Sequence, residues 1–114
     1  MIEDDMISVE LPARLWSAID ATVDNTIAMA GVDGEEEVVR IGQKIRQAGW
    51  DQVPWVDGAW PPMDQIITIT LSGSQWRFAM DEVAEHETSY LRIGDRESLE
   101  IGREALAVVT PHLR

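Results

Sequence analysis

The sequence contains no cysteine and only one lysine, one tyrosine and one phenylalanine. The absence of cysteine excludes disulfide bonds and thiolate metal ligands. No apolar run approaches the roughly 20 residues of a membrane helix, and the acidic start from Met1 to Met6 differs from the basic start of a signal peptide. We therefore expect a cytoplasmic protein that folds as one domain over residues 1–114.

Basic side chains are scarce in the first third of the chain. Residues 1–37 hold ten acidic residues and one basic residue, Arg14, whereas residues 38–114 hold eleven acidic and eight basic residues. The chain as a whole carries a net charge of −12. Such a field repels nucleic acid and anionic membranes and favours partners with a basic surface, although solubility is the commoner reason for acidity.

One pattern near the N-terminus returns sixty residues later. The stretches Ile7–Trp16 and Ile67–Trp76 both show the alternation of a half-buried strand followed by the start of a helix. Aligned at this offset, residues 6–50 and 66–110 share eight identities. The identical pairs are Ile7/Ile67, Leu11/Leu71, Trp16/Trp76, Val23/Val83, Gly34/Gly94, Glu37/Glu97, Ile41/Ile101 and Gly42/Gly102. The sequence therefore predicts two strand-helix-helix repeats, at about 6–50 and 66–110.

Glycine and capping residues set the predicted helix ends of the first repeat. The first helix should run from Ala13 to about Met29 and end at Gly31. Asp33 then caps the second helix, with Glu36 completing a capping box, and that helix ends at Gly49.

The second repeat has its own boundary residues. Ser72 is a good N-cap for the third helix, whose apolar stripe fades near His86, and we expect the helix to end there. A turn around Gly94 and Asp95 leads to the fourth helix, which Pro111 stops.

One strand-helix-helix unit cannot bury its strand face and both helical stripes, but two units can do so together. We therefore predict an α+β fold in which two repeats, related by a pseudo-twofold axis, form an antiparallel two-stranded ribbon packed on four helices. Trp16 and Trp76 should occupy equivalent core positions. Gly42 and Gly102, inside helices, suggest close backbone approach. The exposed edges of the ribbon also allow the chain to pair with a second copy as a homodimer.

The segment between the repeats, residues 49–65, holds three of the five tryptophans and three of the five prolines. Trp50, Trp55 and Trp60 are spaced by five, with Asp57 between the last two. Tryptophan is enriched at the energetic centres of protein interfaces, which makes these four residues a predicted partner-binding site. A clasp whose rings pack over the core is the alternative interpretation.

A second predicted partner-binding cluster is the run Glu35, Glu36 and Glu37. In charge alone the acidic first third of the chain, to which this run belongs, resembles the phosphate-like arrays of small phage-type antirestriction proteins, which occupy DNA-binding proteins. A solvated acidic surface is the alternative.

Histidine offers the remaining candidate chemistry. His86 follows Glu82 by four residues, and His112 is the other imidazole, so a third metal ligand is missing. We expect a surface histidine among carboxylates. The sequence also lacks a nucleophile-base constellation, a phosphate loop and paired catalytic carboxylates, so we predict a non-enzymatic protein without metal or cofactor.

The strand-helix-helix order, the Leu11-Pro12 junction and the glycine-acid turns resemble the ribbon-helix-helix superfamily, here as two fused units that cover about 90 of 114 residues. The resemblance implies that the exposed ribbon face enters the DNA major groove and that phosphates bind where the second helix of each unit begins. The implied positions are Ser8, Glu10, Thr68 and Thr70 for bases, and 35–37 and 95–97 for phosphates.

Acidic residues at these positions depart from that pattern. Glu10 and the glutamates at 35–37 present negative charge where the duplex is negative, so direct nucleic-acid binding is disfavoured. The function we predict is therefore protein-protein interaction or regulation. The alternatives are a ribbon-helix-helix-like transcriptional regulator or antitoxin, and an acidic DNA mimic.

Overall fold

A computed structural model describes residues 4–113 as two strands and four helices in the order β-α-α-β-α-α. The predicted α+β class is confirmed, and the acidic start at residues 1–3 lies outside the described residues. Within residues 4–113, no helix combines the length and apolarity needed to cross a membrane. The elements are β1 (Met6–Pro12), α1 (Ala13–Asp33), α2 (Glu36–Gln52), β2 (Ile66–Ser72), α3 (Gly73–Ile93) and α4 (Arg96–Val109), and a 3-10 turn at Thr110–His112 follows.

The two strands form the predicted antiparallel ribbon, with Val9 opposite Ile69 and Leu11 opposite Ile67. Side chains that alternate along each strand are buried on one face, whereas Ser8 lies on the exposed face. Because successive strand side chains point to opposite faces, the apolar alternation fixes which face of the ribbon covers the helices.

Two tryptophans lie at the centre of the core, as predicted. The buried rings of Trp16 and Trp76 meet edge to face, with centroids 5.9 Å apart and an interplanar angle of 82°. The indole N–H of Trp76 donates to the backbone carbonyl of Ile7 at 2.9 Å. The Trp16 ring lies directly on Gly49, where an added Cβ would come within 2.1 Å of the ring. This contact accounts for a glycine inside α2.

The first two helices are longer than predicted. α1 continues through Gly31, and Gly34, with a φ of 73°, forms the left-handed cap that ends it. Asp33 is the last residue of α1, so the predicted capping box with Glu36 is wrong. α2 also passes Gly49 and ends at Gln52.

The third helix begins as predicted but ends later. The hydroxyl of Ser72 accepts from the Gln75 amide N–H at 3.1 Å, and the Gln75 side chain accepts from the Ser72 N–H at 2.9 Å. The predicted end near His86 is wrong, because α3 runs to Ile93 and Gly94 ends it with a φ of 73°. After His86 most side chains of α3 are exposed, so the apolar stripe does not extend to the end of the helix.

The two helix-interior glycines differ in their surroundings. A Cβ on Gly42 would lie 2.6 Å from Cγ1 of Ile27, so close approach is confirmed there. On Gly102 the nearest atom would be Cγ1 of Val83 at 3.5 Å, an ordinary contact. The prediction of close approach is therefore wrong for Gly102.

Candidate functional site

Three tryptophan rings, one at the end of α2 and two in the segment that follows, contact one another in a row, tilted by 44° and 56°. Trp55 lies in the middle, with its ring centroid 4.4 Å from that of Trp50 and 4.7 Å from that of Trp60. The indole N–H of Trp55 donates to the backbone carbonyl of Trp50 at 2.9 Å. We call these three residues the tryptophan stack. Trp55 and Trp60 are half-buried against the core, so the stack is anchored on one side.

Asp57 lies in a tight turn between Trp55 and Trp60. Val56 and Ala59 exchange two backbone hydrogen bonds of 2.9 Å, and the residues between them, Asp57 and Gly58, have φ values of 51° and 79°. Two successive positive φ values are the mark of the hairpin turns that Asp-Gly sequences favour. The turn accounts for an aspartate at position 57 and leaves this side chain exposed.

The connector, residues 53–65, also holds the fold together. Val53 and Pro61 are buried. The backbone carbonyls of Gln65 and Met63 accept from the N–H groups of Ala13 at 2.8 Å and Arg14 at 2.9 Å. α1 has no side-chain cap, because Pro12 precedes it, so the connector satisfies the first amide groups of this helix.

The opposite side of the same segment faces solvent. Trp50 is 58% exposed, Val56 is 55% exposed and Met63 is 42% exposed. Trp50 belongs to the last turn of α2, and its ring rests on Trp55. The clasp and the binding-loop interpretations therefore describe different side chains of one segment.

The acidic cluster begins α2. Glu35 is the N-cap residue and makes no side-chain capping bond, Glu36 is exposed, and Glu37 pairs with Arg40 at 2.9 Å. Because α2 rises 1.5 Å per residue, Glu36 and Trp50 lie roughly 21 Å apart on it. The predicted site residues thus form two separate surfaces.

Much of the negative charge of α1 is paired. Arg46 of α2 binds Asp20 at 3.0 Å and Asp24 at 2.8 Å. The hydrogen bonds that Arg46 donates to the Asp20 carboxylate raise the pKa of the Arg46 guanidinium. These ion pairs join α1 to α2. They also reduce the negative electrostatic field that the sequence predicts for the first third of the chain.

His86 holds two helices together and is half-buried, so the expectation of a surface histidine is wrong in this respect. Its Nδ1 is 2.8 Å from the carbonyl of Glu82, and its Nε2 is 3.0 Å from the side-chain amide of Asn25. The neighbouring hydroxyl of Thr26 donates to the Glu82 carboxylate at 2.8 Å. Between residues 4 and 113, no three potential metal ligands cluster.

A cleft of about 790 Å³ opens between α1 and α3, with α2 and α4 contributing to its walls. Positions 18, 22, 25, 29 and 33 of α1 line it, and so do positions 78, 82, 85, 89 and 93 of α3, each sixty residues later. The spacing of four, three, four and four residues marks one face of each helix.

Sequence reasoning missed this cleft because it ended the third helix near His86. The helical spacing of Phe78, Glu82, Glu85, Ser89 and Ile93 is visible in the sequence, but only two of these residues are apolar. An Asp-Gly hairpin, by contrast, had a direct signal at positions 57 and 58.

We compared the chain with protein family models, with curated proteins and with solved structures, and none of the three comparisons gives a significant match.

Proposed function

We propose that this chain is a non-enzymatic cytoplasmic protein that regulates another protein by binding it, with Trp50 as the principal anchor. The observation that carries the proposal is a ring that is 58% exposed and yet rests on a half-buried support, the Trp55 ring, with the two ring centroids 4.4 Å apart. Isolated exposed apolar residues are ordinary on protein surfaces. Tryptophan, however, is among the residue types most enriched at interface hot spots, and the ring of Trp50 is held in place by its neighbour.

The support matters because binding costs conformational entropy. A side chain already held against a neighbouring ring loses little freedom when a partner covers it, so more of its contact energy remains as affinity. In this proposal Trp55 and Trp60 position the anchor, Asp57 adds an exposed carboxylate at the turn, and Glu35, Glu36 and Glu37 form a second acidic surface for basic groups of the partner.

Affinity capture from the native host tests the anchor. Trp50→Ala should lose most of the captured partner while its thermal unfolding stays close to that of the wild type. Leu91→Ala, at the same 58% exposure on α3, is the matched control and should retain the partner. Capture that is equal for Trp50→Ala and the wild type would remove Trp50 from the proposal.

We also propose that the two halves descend from one duplicated unit related by a pseudo-twofold axis. Both halves have a seven-residue strand and a 21-residue helix, and the glycines that end these helices share a φ of 73°. The sixty-residue offset of the cleft positions adds a further correspondence.

A ribbon-helix-helix-like regulator of DNA is the second candidate, because an antiparallel ribbon with two helices after each strand fits that arrangement. On its exposed face, however, the hydroxyls of Ser8 and Thr70 bond each other at 2.7 Å, and Glu10 lies opposite Thr68. A gel shift on random duplex at about 50 mM salt separates the candidates, since electrostatic affinity for DNA is greatest at low salt. We expect no shift.

The acidic DNA mimic is a weaker candidate. Asp20, Asp24 and Glu37 are paired with arginines, which reduces the unbalanced negative charge that could imitate phosphates. For a mimic, neutralising Glu35, Glu36 and Glu37 together should abolish capture, whereas in the proposed function it should weaken capture and leave the contact of Trp50 in place.

A further inference from the structure

The cleft between α1 and α3 combines apolar walls with acidic edges. Met29 and Ile93 line it and are large side chains that are 61% and 71% exposed. Exposed apolar surface in a groove with polar edges is typical of a site that binds a partner or ligand.

The charges around this cleft have one sign. Asp33, Glu35, Glu82 and Glu85 all line it, whereas the described residues that line it include neither lysine nor arginine. Glu82 is engaged by Thr26. The other three carboxylates are exposed and form no ion pair with any residue between 4 and 113.

We infer that the cleft binds an amphipathic helix with a basic polar face, supplied by a partner protein. Apolar side chains of such a helix at successive turns would contact Met29 and Ile93, and its lysines or arginines would reach the carboxylates at the edges. The lining positions on α1 extend from Ala18 to Asp33, which corresponds to roughly 22 Å, or about 15 residues of bound helix.

A second copy of this chain fits the cleft less well. Each copy carries a net charge of −12, so two acidic edges would face each other across the interface. The charge complementarity therefore selects a basic helix over self-association.

This inference adds a surface to the proposed function. No residue of the tryptophan stack lines the cleft, so loss of capture on Trp50→Ala and loss of helix binding in the cleft are separate results.

A direct binding experiment uses a fluorescently labelled peptide of about 15 leucine and lysine residues, with leucine at helical spacing. The peptide is titrated with the full chain at about 100 mM salt, where exposed charges act only at short range. The same peptide with glutamate in place of lysine is the charge-reversed control. We expect anisotropy to rise for the basic peptide alone, and its circular dichroism to become more helical on binding.

Two double variants, each of which removes two carboxylates, show whether the peptide binds in the cleft. Glu35→Gln with Glu85→Gln removes two carboxylates from the cleft, whereas Glu100→Gln with Asp81→Asn removes two exposed carboxylates outside it. We expect about a tenfold loss of affinity for the first pair and less than about twofold for the second.

The apolar wall has its own matched pair. Met29→Ser should weaken the peptide by several-fold, whereas Val32→Ser, a substitution of an exposed residue of α1 outside the cleft, should not.

Equal losses in the two double variants would overturn the inference, because they would show general charge attraction. Binding of the acidic peptide, failure of the basic peptide to bind, or binding without gain of helix would also overturn it. So would a dimer in sedimentation that the peptide does not dissociate, since a second copy would then occupy the cleft.

Discussion

In the first half of the molecule α2 continues to Gln52, whereas in the second half α4 ends at Val109 and a short 3-10 turn follows. The additional turn of α2 reaches the ribbon. The side-chain amide of Gln52 donates to the carbonyl of Thr70 at 2.7 Å and accepts from the Thr70 N–H at 2.6 Å. One glutamine thus satisfies both outward backbone groups of Thr70 on the edge of β2, as another strand would.

The edge of β1 has no such cover. Thr70 turns both backbone groups away from β1, so in an antiparallel ladder its opposite residue, Ser8, also turns its groups outward. Among the described residues, no hydrogen bond to these outward groups of Ser8 is present. The sixty-residue counterpart of Gln52 is His112, in the turn after α4. At this opposed pair, therefore, the outward groups of Thr70 are satisfied and those of Ser8 are not. We expect a homodimer, if one forms through the ribbon, to pair at this part of β1.

Helix starts differ between the halves as well. α3 is capped by its own Ser72 and Gln75, whereas α1 depends on the carbonyls of Met63 and Gln65 in the connector. The second half is locally complete at this point, and the first half requires the tertiary fold. This difference explains why a connector rich in tryptophan and proline is ordered.

The largest expected loss of stability comes from adding a single methyl group at Gly49. Gly49→Ala would force a Cβ into the Trp16 ring, which cannot move because Trp76 packs against it. We expect a loss of about 3 kcal/mol in the free energy of unfolding. Urea denaturation measures it, and Gly31→Ala, with open space around its Cβ in α1, is the control that should not destabilise. Equal stability of the two variants would contradict the packing.

Gln52→Ala should make the two halves alike by opening the second edge. Two part-buried hydrogen bonds are lost, so we expect about 2 kcal/mol of destabilisation and association that increases with protein concentration. Sedimentation velocity detects the association. Gln47→Ala removes an exposed amide from the same helix and should remain at the wild-type mass. A monomeric Gln52→Ala would show that the edge needs no protection.

Gly42 and Gly102 are identical residues at corresponding positions of the two halves. Substituting each of them tests whether neighbouring side chains restrict both positions equally. Gly42→Ala should destabilise by about 1 kcal/mol because Ile27 must move. Gly102→Ala should stabilise by about 0.5 to 1 kcal/mol, since alanine is the better helix former and the space is free. Opposite signs in chemical denaturation support the account, and the same sign for both variants contradicts it.

The smallest effect concerns the start of α4. Hydrogen bonds from the side chain and the backbone N–H of Ser98 lower the pKa of Asp95, and Glu35 makes no equivalent bond on α2. A carboxyl whose pKa is lower in the folded state than in the unfolded state stabilises the fold at pH values above its unfolded pKa. This contribution is lost as the pH falls through the folded pKa. Asp95→Asn keeps a capping residue, so stability should change less steeply in acid. An unchanged acid slope would contradict the cap.

Sequence patterns predicted the parts of this fold that depend on neighbouring residues. Alternation placed Val9 and Leu11 in a strand, and Ser72 and Gly94 marked real boundaries. The helix end at Ile93 escaped prediction because most residues of α3 after His86 are exposed, and an apolar stripe does not mark a helix where its side chains face solvent.

The candidate site was predictable in composition but not in arrangement. The sequence identified the tryptophans, but it could not distinguish exposed Trp50 from supporting Trp55, since exposure depends on which ring meets the core. It also gave no signal for Gln52, whose role depends on a strand eighteen residues away.

The measurement that tests the central claim most directly is the amount of partner captured by Trp50→Ala, relative to Leu91→Ala, from the same host lysate. The account predicts loss of most of the partner for Trp50→Ala alone, with both variants unfolding at nearly the wild-type temperature. Full capture by a folded Trp50→Ala would contradict it.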